Sequence, residues 1–177
     1  MYKFAAACKN ESIVFGASRP GYSEKQIKAW IEFMKSQDIQ RVCCLLAEEQ
    51  LIRYPNLLDS YKLEFGTENV CWAAIVDFEI CDLATLHNQI LPFLFTSDRY
   101  QQKTVVHCSG GIGRTGQILA AWLIAGRSLS QKEAIAAVRR TGRNPFEAVI
   151  VAPLRGKNPL RALAKLNYLL NTCRTHE

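Results

Sequence analysis

The chain has 177 residues, 49% hydrophobic and 21% charged, with a formal net charge of +6. That composition suits one globular domain over residues 1–177 with a full core, and it excludes a membrane span, since the longest apolar block, Ile118 to Ala125, is too short to cross a bilayer. The seven cysteines (8, 43, 44, 71, 81, 108, 173) are odd in number and contain no Cys-x-x-Cys pair or zinc spacing, so a reduced cytoplasmic compartment is expected, and no metal site.

In chain order, residues 2–6 and 12–15 read as two short strands joined by Cys8-Lys9-Asn10-Glu11, and 16–21 as a loop. The opening Met-Tyr-Lys-Phe-Ala-Ala-Ala-Cys has no apolar stretch long enough for a leader. Ser23 to Gln26 is a capping box, and Ile27, Trp30, Ile31 and Met34 follow at helical spacing as a core stripe. Residues 41–46 read as a buried strand whose neighbouring Cys43 and Cys44 must point to opposite faces. Two short helical pieces follow over 48–54 and 55–65, closed by Gly66. Residues 70–76 predict a second buried strand, with Asp77 at its C-terminal end. Asp82 caps the helix that carries Leu83, Leu86 and Ile90, and Pro92 should kink or end that helix. His87 on it reads as an ordinary satisfied histidine.

The most informative stretch is 105–116, Val-Val-His-Cys-Ser-Gly-Gly-Ile-Gly-Arg-Thr-Gly. It opens as a β-branched strand, breaks at His107-Cys108 into a loop with glycines at 110, 111 and 113, and from Arg114 continues as an apolar helix. Strand, glycine-rich loop and helix start form an anion cradle of backbone N–H groups, reinforced by the helix dipole. A thiol at such a helix N-terminus is favoured as thiolate. The planar fork of Arg114 can bind two phosphate oxygens, and Thr115 can hydrogen-bond the sulfur. Further on, Ser130 to Glu133 is another capping box, and the helix behind it ends at Arg139-Arg140-Thr141-Gly142, where a solvated helix end is the plain reading. Residues 148–157 fit no motif. Asn158-Pro159 starts a last helix with Leu163, Leu166 and Leu170 on one face.

His-Cys-x5-Arg-Thr-Gly resembles the active-site loop of the cysteine-dependent protein tyrosine phosphatases, and the short chain looks like their small dual-specificity branch. Rhodanese-like sulfur transferases also use a cysteine loop, but the length here and the Arg-Thr ending are those of the phosphatases. The resemblance covers roughly residues 12–147. Locally, 54–61 is similar to the kinase-associated phosphatases of that family. The resemblance, with the alternation of strands and helices, implies an α/β fold with a mainly parallel central sheet flanked by helices. It implies that Cys108 attacks phosphorus, while Arg114 and the backbone of Ser109, Gly110, Gly111, Ile112 and Gly113 hold the phosphate oxygens. It puts the general acid at Asp77, with Glu79 a weaker choice and Val76 in place of the family's usual proline. His107 is implied as a loop-orienting residue. Arg19 is a candidate rim residue, and Asn144 a candidate substitute for the water-orienting glutamine of larger relatives. The implied substrate is a phosphoprotein or phosphopeptide carrying phosphotyrosine, with phosphoserine and phosphothreonine as well, attacked in a shallow pocket. The implied protein is a cofactor-free monomer with no nucleic-acid partner. Cys43 or Cys44 is a candidate to resolve oxidised Cys108. Three other readings stay open: a phosphoinositide phosphatase, an RNA 5′-phosphatase, and a catalytically dead phosphoprotein-binding module.

Overall fold

The computed structural model describes residues 2–174. The chain begins with β1 (Ala5–Ala6) and β2 (Val14–Ser18), then α1 (Glu24–Ser36), β3 (Arg41–Cys44), α2 (Glu48–Leu51), α3 (Leu57–Phe65) and β4 (Val70–Trp72). It continues through α4 (Leu83–Thr85), a π-helical turn (Leu86–Ile90), α5 (Leu91–Arg99) and β5 (Thr104–Cys108). It closes with α6 (Gly113–Arg127), α7 (Gln131–Arg140), α8 (Glu147–Val151) and α9 (Pro159–Asn171). The strands make one sheet in the order β1-β2-β5-β3-β4, antiparallel only at β1–β2. The expected mainly parallel α/β sheet is therefore what forms.

Two apolar layers cover the two faces. One centres on α6, α5 and α9, and the other on Trp30, Ile31, Met34 and Tyr61 of α1 and α3. The period-2 geometry of β3 sends Cys43 into the first layer and Cys44 into the second, as neighbouring strand residues must. Helix α6 is buried from Gly113 to Ile124, which puts the cradle's helix in the middle of the molecule. Both capping boxes form as expected, Ser23 with Gln26 and Ser130 with Glu133.

Several local expectations are corrected. Residues 16–18 are strand rather than loop, because Gly16, Ala17 and Ser18 pair in register with Val106, His107 and Cys108. Only Ala5 and Ala6 of the first predicted strand are paired. Residues 70–76 give a strand only to Trp72, and it is an edge strand with Trp72 exposed. Beyond Trp72 the chain stays beside β3, with Ala73 N donating to Cys44 O at 3.0 Å and Ile75 N to Leu45 O at 3.3 Å. It leaves the ladder because β3 has ended. Pro92 does not end the helical run, although the regular helix is interrupted directly before it. It stands in the first turn of α5, directly after a π turn, where its missing N–H is tolerated, and α5 runs on to Arg99. On α9, Leu166, Leu169 and Leu170 are buried, while Leu163 is not.

Candidate active site

Strand β5 is buried at all five positions and delivers Cys108 to the C-terminal edge of the sheet, where α6 begins after a short loop. That loop is pressed against the end of β2. Gly111 has φ +67°, and a Cβ there would lie 2.6 Å from the Ala17 carbonyl, so only glycine fits. Arg19 N donates to Cys108 O at 3.0 Å, which joins the loop's first residue to the chain leaving β2. The cap residue of α6, Ile112, has no side-chain cap bond, and the Glu147 carboxylate lies against the first helical residue, Gly113, where an anion would meet the helix N-terminus.

Arg114 is buried, and its guanidinium does not stand free over the loop. Nη1 donates to Gln50 Oε1 and Ile75 O, both at 2.8 Å, and to Leu45 O at 3.3 Å. Nη2 lies 2.8 Å from Asp77 Oδ1 without an aligned hydrogen bond. One nitrogen is thus committed to the scaffold, and the Nε/Nη2 edge is left to bind two oxygens. Asp77 is one-third exposed, and its other oxygen accepts from Gln50 Nε2 at 3.1 Å. The structure therefore brings Asp77 to the cradle. Glu79 and Asp82 are engaged elsewhere: Glu79 pairs with Lys157, and Asp82 caps α4 through Thr85 N at 2.8 Å and Thr85 Oγ1 at 2.7 Å. Those two bonds hold the Asp82 carboxyl below its ordinary range.

Thr115 is fully buried, and its hydroxyl has no partner among the described residues. His107 points to the opposite layer, where Nε2 meets Tyr61 OH at 3.2 Å and the ring packs edge-on against Trp30 and Tyr61. Burial pushes the His107 imidazole down to about 3. Arg19 reaches the rim of the cradle: Nε donates to Ser109 Oγ at 3.3 Å and Nη1 to Tyr54 OH at 2.9 Å, with the guanidinium 4.0 Å over the Tyr22 ring. Tyr22 and Tyr54 pack at 4.8 Å, so an aromatic pair flanks Arg19. Asn144 does not offer its oxygen to the cradle; Oδ1 accepts from Phe146 N at 3.3 Å in a local turn.

Four residues to which sequence reasoning gave no role shape this site. Gln50 bridges Arg114 and Asp77, and its place as the third residue of α2, reaching back to Ala47 N, is a faint capping signal. Arg143 is buried behind the loop, donating to Gly111 O at 2.7 Å and Gly16 O at 2.8 Å. Burial lowers its pKa, partly offset by the Cys108 charge. Glu147 lies directly against Gly113, and burial first, then the charge of Asp77, pushes its carboxyl up. Tyr54 holds Arg19 and donates to Pro20 O at 3.0 Å; burial pushes its phenol up to about 12. In sequence, Arg143 stands in a turn that the resemblance places near the site and Tyr54 in the stretch similar to the kinase-associated phosphatases, but neither they nor Glu147 carries a local signal of its role.

All seven cysteines are free thiols. Burial pushes the Cys44 thiol up to about 12, and the neighbouring Cys71 thiol, followed by burial, pushes Cys43 up as well. Neither is a ready thiolate for a disulfide with Cys108.

A family model described as "Polymorphic toxin system, DSP-PTPase phosphatase" (Tc-R-P) matches residues 15–127, well over half of the chain. The chain belongs to this DSP-PTPase family. The chain is 29% identical over 157 residues to cyclin-dependent kinase inhibitor 3 of Rattus norvegicus, covering 85% of this chain and spanning only 66% of the rat protein's length. In three dimensions it is similar to Tk-PTP in its active form, with a TM-score of 0.66 and 25% identity over 89% of this chain and 93% of that one. It shares its fold with PTPMT1, solved in complex with PI(5)P, at a TM-score of 0.70 and 18% identity over 96% of each chain. The family match stops at Arg127, so α7, α8 and α9 lie beyond it. Among the described residues no helix is long and apolar enough to cross a membrane.

Proposed function

We propose that the protein hydrolyses phosphate monoesters on proteins, phosphotyrosine and also phosphoserine and phosphothreonine, through a cysteinyl-phosphate intermediate. The observation that carries this reading is the contact of Arg114 with Asp77 at 2.8 Å beside the loop between Cys108 and α6. The thiolate of Cys108 attacks phosphorus in line, forming the P–S bond as the ester P–O bond breaks. The equatorial oxygens sit on the loop N–H groups of residues 109–114 and the Nε/Nη2 edge of Arg114. Arrival of the dianion displaces the Asp77 carboxylate from Nη2. Asp77 then takes up a proton and delivers it to the leaving oxygen. In the second step its carboxylate removes a proton from the water that attacks phosphorus. The P–S bond breaks, and the uncommitted Thr115 hydroxyl donates to the departing sulfur. His107 and Arg143 hold the strand and loop in position, Arg19 orients Ser109 at the rim, and Asn144 supports the neighbouring turn.

The same reading takes residues 1–177 as one phosphatase domain, acting as a cytoplasmic monomer without a cofactor. The free thiols support a reducing compartment. The test is a turnover screen of phosphotyrosine and phosphothreonine peptides, phosphoinositides and RNA 5′-triphosphate, run beside Cys108→Ser. Phosphopeptide turnover that vanishes in Cys108→Ser, with phosphate or tungstate binding retained, is the expected result. Preferred turnover of lipid or RNA, or activity that survives in Cys108→Ser, overturns it.

A further inference from the structure

Helix α6 buries the polar side chains of Arg114, Thr115 and Gln117. Chemistry at the cradle uses the first two and leaves Gln117 without a task. Gln117 is fully buried, and the residues that follow it, Ile118 to Ile124, are all apolar. A buried amide is costly unless its oxygen and nitrogen are both hydrogen-bonded. Here both are: Oε1 accepts from Cys81 N and Nε2 donates to Glu79 O, each at 3.1 Å. The amide is spent entirely on the segment that follows Asp77.

Arg114 and Gln117 stand three residues apart, on one face of α6. Between them they hold every second residue of the acid segment. Arg114 takes Ile75 O and the Asp77 carboxylate, and Gln117 takes Glu79 O and Cys81 N. Substrate treats the two holds differently. The Nη2 edge of Arg114 releases Asp77 when phosphate arrives, whereas Gln117, about one turn further along the helix, keeps its partners. The segment needs such a hold. Glu79 N donates to Val76 O at 3.1 Å, closing a turn around Asp77, and Phe78 within it has φ +60°, a conformation disfavoured for a bulky residue. A turn of this kind persists only where its surroundings fix it. Lys157 pairs with the Glu79 carboxylate and Lys165 Nζ donates to Ile80 O at 3.2 Å, but both lysines are exposed, where charged contacts hold weakly. Gln50 grips only the Asp77 side chain.

We propose that Gln117 is a positioning residue for the general acid, pinning the backbone after Asp77 to the cradle helix so that the carboxyl stays beside the leaving oxygen once Arg114 has let it go. The inference rests on the reading of Asp77 as the acid. Proton delivery then needs only rotation of the Asp77 side chain on a fixed backbone. Gln117 itself touches neither phosphate nor the reacting atoms.

The experiment measures kcat/KM for a series of aryl phosphates, from para-nitrophenyl to phenyl phosphate, in wild type, Gln117→Leu, Asp77→Asn and the double variant, with tungstate affinity beside it. Gln117→Leu removes both hydrogen bonds. Gln117→Glu is made as well, in case the first fails to fold; its carboxylate still accepts from Cys81 N but cannot donate to Glu79 O. The expected loss in Gln117→Leu is about tenfold for phenyl phosphate, part of the roughly 10²–10⁴ that a positioned acid supplies, and far less for the activated ester. Gln117→Glu should fall between Gln117→Leu and wild type. Tungstate should bind at least as tightly as to wild type, because the cradle is intact. In the Asp77→Asn background Gln117→Leu should cost nothing further, since there is no acid left to place. A uniform loss across the series with weakened tungstate binding, or a loss that persists undiminished in the Asp77→Asn background, overturns the proposal and leaves Gln117 a purely structural residue. An Asp77→Asn variant whose leaving-group dependence matches wild type overturns the acid assignment itself, and Gln117's role with it. The aryl series needs no protein substrate, so failure of the phosphoprotein reading shows separately, as absent phosphopeptide turnover.

Discussion

At the scale of single residues, the contact between Arg114 and Asp77 has a measurable consequence. With no substrate present, the Asp77 carboxylate occupies the Arg114 edge that a phosphate needs. Asp77→Asn removes that competing charge, so tungstate or vanadate should bind several-fold more tightly, since hydrogen bonds to charged groups contribute about 1.5–3 kcal/mol and this pair is partly solvated. Turnover should fall at the same time, most for phosphothreonine peptides and least for an activated aryl phosphate, because general acid catalysis matters more as the leaving oxygen becomes more basic. Calorimetry with tungstate and a leaving-group series check the two halves; weaker tungstate binding in Asp77→Asn would contradict the displacement step. Glu79→Gln and Asp82→Asn serve as controls, because the first carboxylate pairs with Lys157 and the second caps α4. His107 makes a different prediction. Its folded pKa of about 3 lies below the ordinary histidine value. As pH falls through roughly 6.5, the unfolded chain takes up a proton that the folded chain refuses until about 3. This group's contribution to stability is therefore intact above 6.5 and declines below it, by up to about 1.4 kcal/mol per pH unit. Urea unfolding at pH 7 and pH 5 should show a larger loss for the wild type than for His107→Gln.

At the scale of elements, the cradle is a loop clamped between a strand and a buried arginine. Gly111 is its tightest point. Gly111→Ala would place a methyl group against the Ala17 carbonyl at φ +67°, so the loop must shift, at a cost of roughly 1–3 kcal/mol for the strained backbone. Chemical denaturation should register that loss together with a collapse of kcat. Arg143 acts on the same loop from below through Gly111 O and Gly16 O. Arg143→Met strands those buried carbonyls, so it should weaken oxyanion binding and lower the unfolding midpoint together. A variant that lost affinity with unchanged stability would show that Arg143 acts only through its charge. The two capping boxes, the Asp82 cap and the strand–loop–helix of the cradle itself were all legible, because each depends on residues a few positions apart. The extent of β2 and the early end of β4 were not, since pairing with β5 extends the one and the termination of β3 ends the other.

At the scale of the whole molecule, one buried ionic cluster ties the N-terminal hairpin to the far end of α6. Glu11 is 6% exposed and accepts from Ile13 N at 2.8 Å, Trp122 Nε1 at 3.1 Å and Arg127 Nε at 2.9 Å, while Arg127 also holds Asp98 at 2.6 Å. The two carboxylates raise the Arg127 pKa further, Asp98 more than Glu11. Arg127→Met leaves Glu11 buried without its cation and should destabilise the fold by about 3 kcal/mol, the lower end for breaking a buried pair because Arg127 is partly exposed. Arg127→Lys should recover part of it. Unfolding midpoints near wild type for Arg127→Met would mean that water, rather than Arg127, satisfies Glu11.

By itself the sequence determined the chemistry-bearing core of this protein. Cysteine, glycines, arginine and threonine stand within one short stretch between a β-branched strand and an apolar helix, and backbone geometry alone makes that a cradle. It also determined the α/β class, because strand and helix periodicities alternate along the chain. Only the tertiary structure decided what surrounds the cradle. Gln50 reaches Arg114 and Asp77, Arg143 reaches Gly111 and Gly16, and Glu147 reaches Gly113 across gaps in sequence that no local pattern spans. Polar side chains of this kind carry no periodic signal. They become informative only when the sheet order β1-β2-β5-β3-β4 brings the ends of β2, β3 and β5 to one edge, where burial makes each of them find a partner.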